Sequence, residues 1–250
     1  MLLGLLAAAI GGLIAGSLVD TLAWRWVAGR PLAARFCCED CANALERRDL
    51  VPVVSWLRLH GRCRHCEQPI ARRHPLIEGL CAAIFVAVAI ARGDDGAELA
   101  LGLALVCFLV PLALIDLRTR LLPNRIVAAA AMTAIVLGVL LDASGEPERL
   151  IAALAAGGFL LLTAVAVPRG MGMGDVKLAA VLGLFLGRDV AAALAFALVA
   201  GVVVGVVIMR RKGIAEGRKE AIAFGPFLAL GGVLALLFGD GLVDAYVSSF

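Results

Sequence analysis

Eight apolar stretches, near residues 3–24, 75–92, 98–117, 122–142, 149–168, 171–187, 189–209 and 222–239, dictate the solvent in which this chain folds. Each is about 17 to 22 residues long, the length of helix that crosses a hydrocarbon core of about 30 Å. A hydrophobic content of 62% and a mean hydropathy of +0.98 exceed what a water-soluble core of this size needs. The expectation is an all-α polytopic membrane protein of about eight transmembrane helices. The first stretch has no basic residue ahead of it and no clear small-residue cleavage site before Trp24-Arg25, so it reads as a retained anchor.

The charges order these spans. Of 23 basic residues, 20 fall in alternate loops: ten arginines in 25–74, then Arg118, Arg120 and Arg125, then Arg169 and Lys177, then five between 210 and 220. Only Arg92, Arg149 and Arg188 lie in the opposite loops, which carry Asp94, Asp95, Glu98, Asp142, Glu146 and Glu148. Basic loops stay cytoplasmic, so both termini are expected outside. The sixth span has the shortest apolar run, Val176 to Gly187, about 18 Å of helix at about 1.5 Å per residue. A re-entrant half-helix there would place Arg210, Arg211, Lys212, Arg218 and Lys219 outside, so a full helix starting within the glycine-rich stretch is preferred.

The long polar insertion holds Cys38-x2-Cys41 and, after 21 intervening residues, Cys63-x2-Cys66. Two such pairs form two knuckles that complete a tetrahedral thiolate site, the pattern of structural zinc. A cytoplasmic loop is reducing, so disulfides explain the spacing less well. Cys37 adjoins Cys38 and competes with it as a ligand, although Cys38 keeps the standard spacing. Cys81 and Cys107 lie in apolar spans and read as small buried hydrophobes. His60, His65 and His74 read as solvated loop residues. The ten arginines beside a lipid bilayer are accounted for by headgroup contact and topology, without nucleic acid.

Asp116 closes the apolar run Leu112-Ala113-Leu114-Ile115, and Asp175 follows Gly172-Met173-Gly174. The topology puts both near the cytoplasmic face. Carboxylates at membrane depth are costly and mark function, and a facing pair shares one proton and can activate water against a peptide bond. Each also has a plainer reading: Asp116 as an ion-pair partner of Arg120 four residues on, Asp175 as a cap or dipole partner at a helix start. Gly172 and Gly174, with Gly170, leave room for an extended substrate strand beside the acid.

These residues occur in an ordered series: Gly16-Ser17, Asp49-Leu50-Val51-Pro52, Ser55-Trp56-Leu57, Gly61-Arg62-Cys63-Arg64-x-Cys66, Arg73-His74-Pro75-Leu76-Ile77-Glu78, Ile115-Asp116-Leu117-x5-Pro123-Asn124, Gly170 to Leu178, and Phe224-Gly225-Pro226-Phe227. In this the chain resembles the type IV prepilin leader peptidases. The resemblance implies catalytic Asp116 and Asp175 and zinc on Cys38, Cys41, Cys63 and Cys66. It also implies cleavage after a glycine of the short basic leader of a prepilin or pseudopilin, in a bacterial inner membrane, and methylation of the new N-terminus with S-adenosylmethionine. The expected division is a first transmembrane helix (1–24), a four-cysteine loop (25–74) and an aspartic peptidase region (75–250). Two other classes stand beside it: a proton-coupled transporter using the aspartate pair, and a zinc-loop scaffold in which the aspartates only cap helices.

Overall fold

A computed structural model describes residues 1–31, 36–166, 171–213 and 223–248. Among them helices carry the fold, and extended pairing is confined to two isolated antiparallel bridges. The chain divides into two compact units, Met1–Ile90 and Ala91–Phe250. Seven helical stretches among the described residues are long and apolar enough to cross a membrane. One of them, Met173–Lys212, contains two of the expected segments, so the count of eight is approximate.

In the first unit, α1 (Leu2–Val27) packs on the next long helix, α3 (Arg73–Arg92). The contact is made by small residues. A Cβ on Gly12 would stand 2.6 Å from the Cα of Ala82, and one on Gly16 would stand 2.6 Å from the Cα of Glu78. Lipid offers apolar side chains nothing to escape from, so helices associate through such close backbone approach. Leu6, Ile10, Ile14, Leu18 and Leu22, spaced four apart, stay exposed along another side of α1. Between α1 and α3 lies the cysteine loop with a short helix, α2 (Val54–Arg58).

The second unit contains α4 (Gly96–Thr119), α5 (Asn124–Leu141), α6 (Glu146–Ala166), α7 (Met173–Leu186), α8 (Val190–Lys212) and α9 (Gly225–Val247). Its most extensive packing joins α6 to α7 and α8 to α9, and α7 also meets α4, α5 and α9. Small residues again set the distances: Gly183 against Ala153, Gly231 against Ala193 and Ala197. Large side chains such as Leu140, Leu154 and Leu162 are more than 70% exposed, as residues facing acyl chains are. With 14 residues, α7 is about 21 Å long, short of a core of about 30 Å. It begins within the glycine-rich stretch and turns through Gly187–Asp189 directly into α8.

The three arginines of the otherwise acidic loops are all paired within this unit. Arg92 binds Asp189 at 2.8 Å, Glu98 at 2.9 Å and also Asp240; Arg149 binds Asp142 at 2.7 Å and Glu146 at 3.2 Å; Arg188 binds Asp244 at 3.0 Å.

The α6–α7 contact gives a direct prediction. A Cβ on Gly183 would lie 2.5 Å from the backbone of Ala153. Gly183→Ala should therefore separate the two helices and destabilise the protein by about 1–3 kcal/mol, read as a lowered unfolding temperature in detergent. Gly158→Ala, inside α6 with nothing within 4 Å of the added atom, should not lower that temperature and should raise it slightly, because alanine favours the helix.

Candidate active site and metal centre

The cysteine loop builds one turn twice. In the first, the N–H of Cys38 donates to Asn43 O at 2.9 Å, Ala42 N–H returns to Cys38 O at 3.2 Å, and Cys37 bridges Ala44. In the second, Cys63 N–H donates to Gln68 O at 2.9 Å, Glu67 N–H returns to Cys63 O at 3.0 Å, and Arg62 bridges Pro69. Ala42 and Glu67, each following the second cysteine of its pair, both take positive φ, 57°. The turns are equivalent, residue for residue.

Together they bring the sulfurs of Cys38, Cys41, Cys63 and Cys66 within 4.8 Å of one another. Cys38 Sγ is 3.8 Å from Cys66 Sγ, too far for a disulfide. That spacing is the edge of a tetrahedron, about 3.8 Å, for a metal–sulfur bond of about 2.3 Å. The four thiols have the donor set and spacing of a closed metal centre. Cys37 sits in the bridge outside this convergence. Backbone N–H groups of Cys66 and, at 3.5 Å, His65 point at Cys63 Sγ and help push that thiol down to about 7 against the effect of burial, toward the thiolate a metal requires.

Polar contacts brace the loop. Arg64 binds Asp49 at 2.6 Å and holds its carboxyl below the usual carboxylate range. Trp56 Nε1 donates to Ile70 O at 3.2 Å. Gly61 is at φ +68°, and a Cβ there would stand 2.8 Å from the Trp56 ring, so the position excludes other residues twice over. His74 is not the free loop histidine expected: its Nδ1 contacts the carboxylate of Asp20, which is buried on α1.

In the second unit, Asp116 lies in the last turns of α4, which ends at Arg120 in a left-handed conformation. Asp175 lies in the first turn of α7, where Gly172 is the N-cap. Both carboxylates are buried, at 4% and 9% exposure, on helices that pack against each other. Among the described residues each has one backbone donor. Gly225 N–H, at the start of α9, donates to Asp116 Oδ2 at 2.9 Å, and Gly172 N–H donates to Asp175 Oδ2 at 3.2 Å. Among the described residues no ion pair joins Asp116 to Arg120. The capping reading of Asp175 describes its bond to Gly172 but not the burial of the carboxylate.

The neighbouring glycines make room for protein atoms. A Cβ on Gly174 would be 2.9 Å from Leu122 Cβ, and one on Gly172 would be 3.3 Å from Asp175 Oδ2. Gly170 lies outside the described residues. Lys177 Nζ donates to Asn124 Oδ1 at 2.9 Å, tying α7 to the start of α5. Gly225 is the residue whose part at this site the sequence left unassigned. Its signal there was the run Phe224-Gly225-Pro226-Phe227, which marked the resemblance without giving the glycine a role.

Comparison with known proteins bears on this arrangement. The model of the bacterial peptidase A24 N-terminal domain matches residues 10–92, and that of the type IV leader peptidase family matches residues 103–209, which contain both aspartates. A prepilin leader peptidase/N-methyltransferase of Aeromonas hydrophila is 33% identical over 88% of this chain and 77% of its own length. One of Burkholderia pseudomallei (strain K96243) is 35% identical over 82% of this chain and 67% of its own. One of Bacillus subtilis (strain 168) is 30% identical over 95% of this chain and 96% of its own. No solved structure matches the chain.

Proposed function

The chain belongs to the type IV leader peptidase family, and from that premise we propose that it is a membrane aspartic endopeptidase that removes the short basic leader of a prepilin or pseudopilin after a glycine, and that it methylates the new N-terminus. The observation that carries the reading is the pair of buried carboxylates, Asp116 from α4 and Asp175 from α7, on two helices that pack together inside the family-matched region. The family matches lend no support to a proton-coupled transporter.

The chemistry follows from two acids that cannot both ionise in comfort, so one keeps a proton. The ionised carboxylate takes a proton from water as it attacks the scissile carbonyl, while the protonated one hydrogen-bonds the carbonyl oxygen. The N–H groups of Gly225 and Gly172 fix the carboxylates so that neither has to reorient during attack. Gly172 and Gly174 are proposed to border the path of the substrate strand. Charge alternation supports an inner-membrane protein with both termini outside and the aspartates at the cytoplasmic face.

Zinc on Cys38, Cys41, Cys63 and Cys66 would be structural, since four thiolates leave no open coordination position. S-adenosylmethionine is the proposed methyl donor. The division at 1–24, 25–74 and 75–250 assigns the peptidase chemistry to the last part.

The test is co-expression with a prepilin, followed by mass measurement of the pilin N-terminus. Loss of the leader reports the peptidase, and the added mass of one methyl group reports the second activity. An intact leader would contradict the reading. A finer check is Gly225→Ala, which puts a Cβ 2.6 Å from Asp116 Oδ2. Displacing that carboxylate should slow leader removal about 100-fold, with insertion and helicity unchanged.

A further inference from the structure

The N–H that reaches Asp116 belongs to the peptide group joining Phe224 to Gly225. The carbonyl of that same group accepts the N–H of Phe227 at 3.0 Å and of Leu228 at 3.1 Å. A trans peptide group is planar, so its C=O and N–H point in opposite directions. With the carbonyl turned into the first turn of α9, the N–H is aimed away from that helix, at Asp116 Oδ2, 2.9 Å away. Each N–H of this helix start is thereby placed: Gly225 donates to Asp116, Pro226 has none, and Phe227 and Leu228 donate to Phe224.

The ring on the near side of this peptide has a seat of its own. Ala193, Ala197 and Gly201 lie four apart on α8, the spacing of one helix face. The first two meet Gly231 of α9. At the third, a Cβ on Gly201 would stand 3.3 Å from Cε2 of Phe224 and 3.9 Å from Cδ2 of Phe227. The two rings pack on each other with centroids 6.1 Å apart and planes tilted by 50°. The side chain missing at Gly201 is therefore the space into which an aromatic pair settles, and that pair brackets the peptide group that holds Asp116.

Taking the endopeptidase reading above, we infer that Gly201 and Phe224 are positioning residues for leader cleavage: the ring seated at Gly201 fixes the Phe224–Gly225 peptide, whose N–H holds the Asp116 carboxylate. Gly201 acts through Phe224, Phe224 acts through its own peptide group, and that group acts on the acid. All of these residues belong to the unit that contains both aspartates.

The test is steady-state cleavage of one prepilin by the full chain in detergent. Gly201→Ala places a Cβ 3.3 Å from the Phe224 ring, which must give way by a fraction of an ångström. A misplacement of about 1 Å costs about 10²-fold, so this smaller one should lower kcat about fivefold with KM unchanged. Loss of helix does not produce that result, because alanine favours a helix over glycine. Phe224→Leu, which leaves part of the seat empty, should show the same split between kcat and KM. The double variant conserves volume across the contact and should cleave faster than either single one. Gly205→Ala, one turn further along α8 with nothing within 4 Å of the added atom, should cleave as the wild type does. Wild-type kcat in both single variants, an effect that falls on KM, or losses that multiply in the double variant would overturn the positioning role and leave the peptidase reading intact. A wild-type chain that leaves the prepilin uncut would overturn both.

Discussion

Asp116→Asn and Asp175→Asn should each stop prepilin leader removal while the protein stays inserted and helical. Asparagine keeps the shape and an acceptor oxygen for the Gly225 or Gly172 N–H, so the fold has little reason to respond. It cannot take a proton from water or share one with its partner. General acid–base groups contribute about 10²–10⁴ in rate. Because both acids act on one event, each variant should lose at least about 10³. The measurement is the ratio of cut to uncut pilin over time, with circular dichroism and protease accessibility as controls for folding. Cutting by Asp175→Asn at the wild-type rate would refute the assignment.

The second large effect concerns metal. With four sulfurs converging, the purified protein should carry one zinc ion per chain by elemental analysis. The loop has little else to hold it: two isolated bridges, one five-residue helix and a few polar contacts. For comparable small metal domains binding is worth about 10–16 kcal/mol at neutral pH, which is the folding energy itself. A strong chelator, or Cys38→Ser or Cys63→Ser, should therefore remove the ion and open residues 36–72 to protease. Methylation should fall more than leader cleavage, because the aspartates belong to the other compact unit. Full metal content in Cys63→Ser, or a loop that resists protease without metal, would contradict this.

Much of the architecture was legible because membrane insertion writes itself into local sequence. Apolar length gives the spans. The two CxxC pairs were legible for a similar reason, since each knuckle closes within six residues and its hydrogen bonds are local. Contacts between distant elements were not. Gly225 donates to a carboxylate 109 positions away, and no periodicity records that. His74 meets Asp20 because α3 lies close to α1 at Gly12 and Gly16. With 28 glycines in the chain, composition does not say which of them mark a close crossing. The glycines before Asp175 were read as space for substrate, and at Gly174 the absent side chain also lets Leu122 come close. Sequence shows that a side chain is missing there and leaves open what takes its place.

The central claim is that Asp116 and Asp175 act as one unit on one proton. It is tested most directly by comparing leader-cleavage rates of Asp116→Asn, Asp175→Asn and the double variant against one prepilin. Members of a catalytic unit are strongly non-additive, so the double variant should be no slower than either single one. Losses that multiply in the double variant would mean two independent contributions, and the shared-proton mechanism would fall.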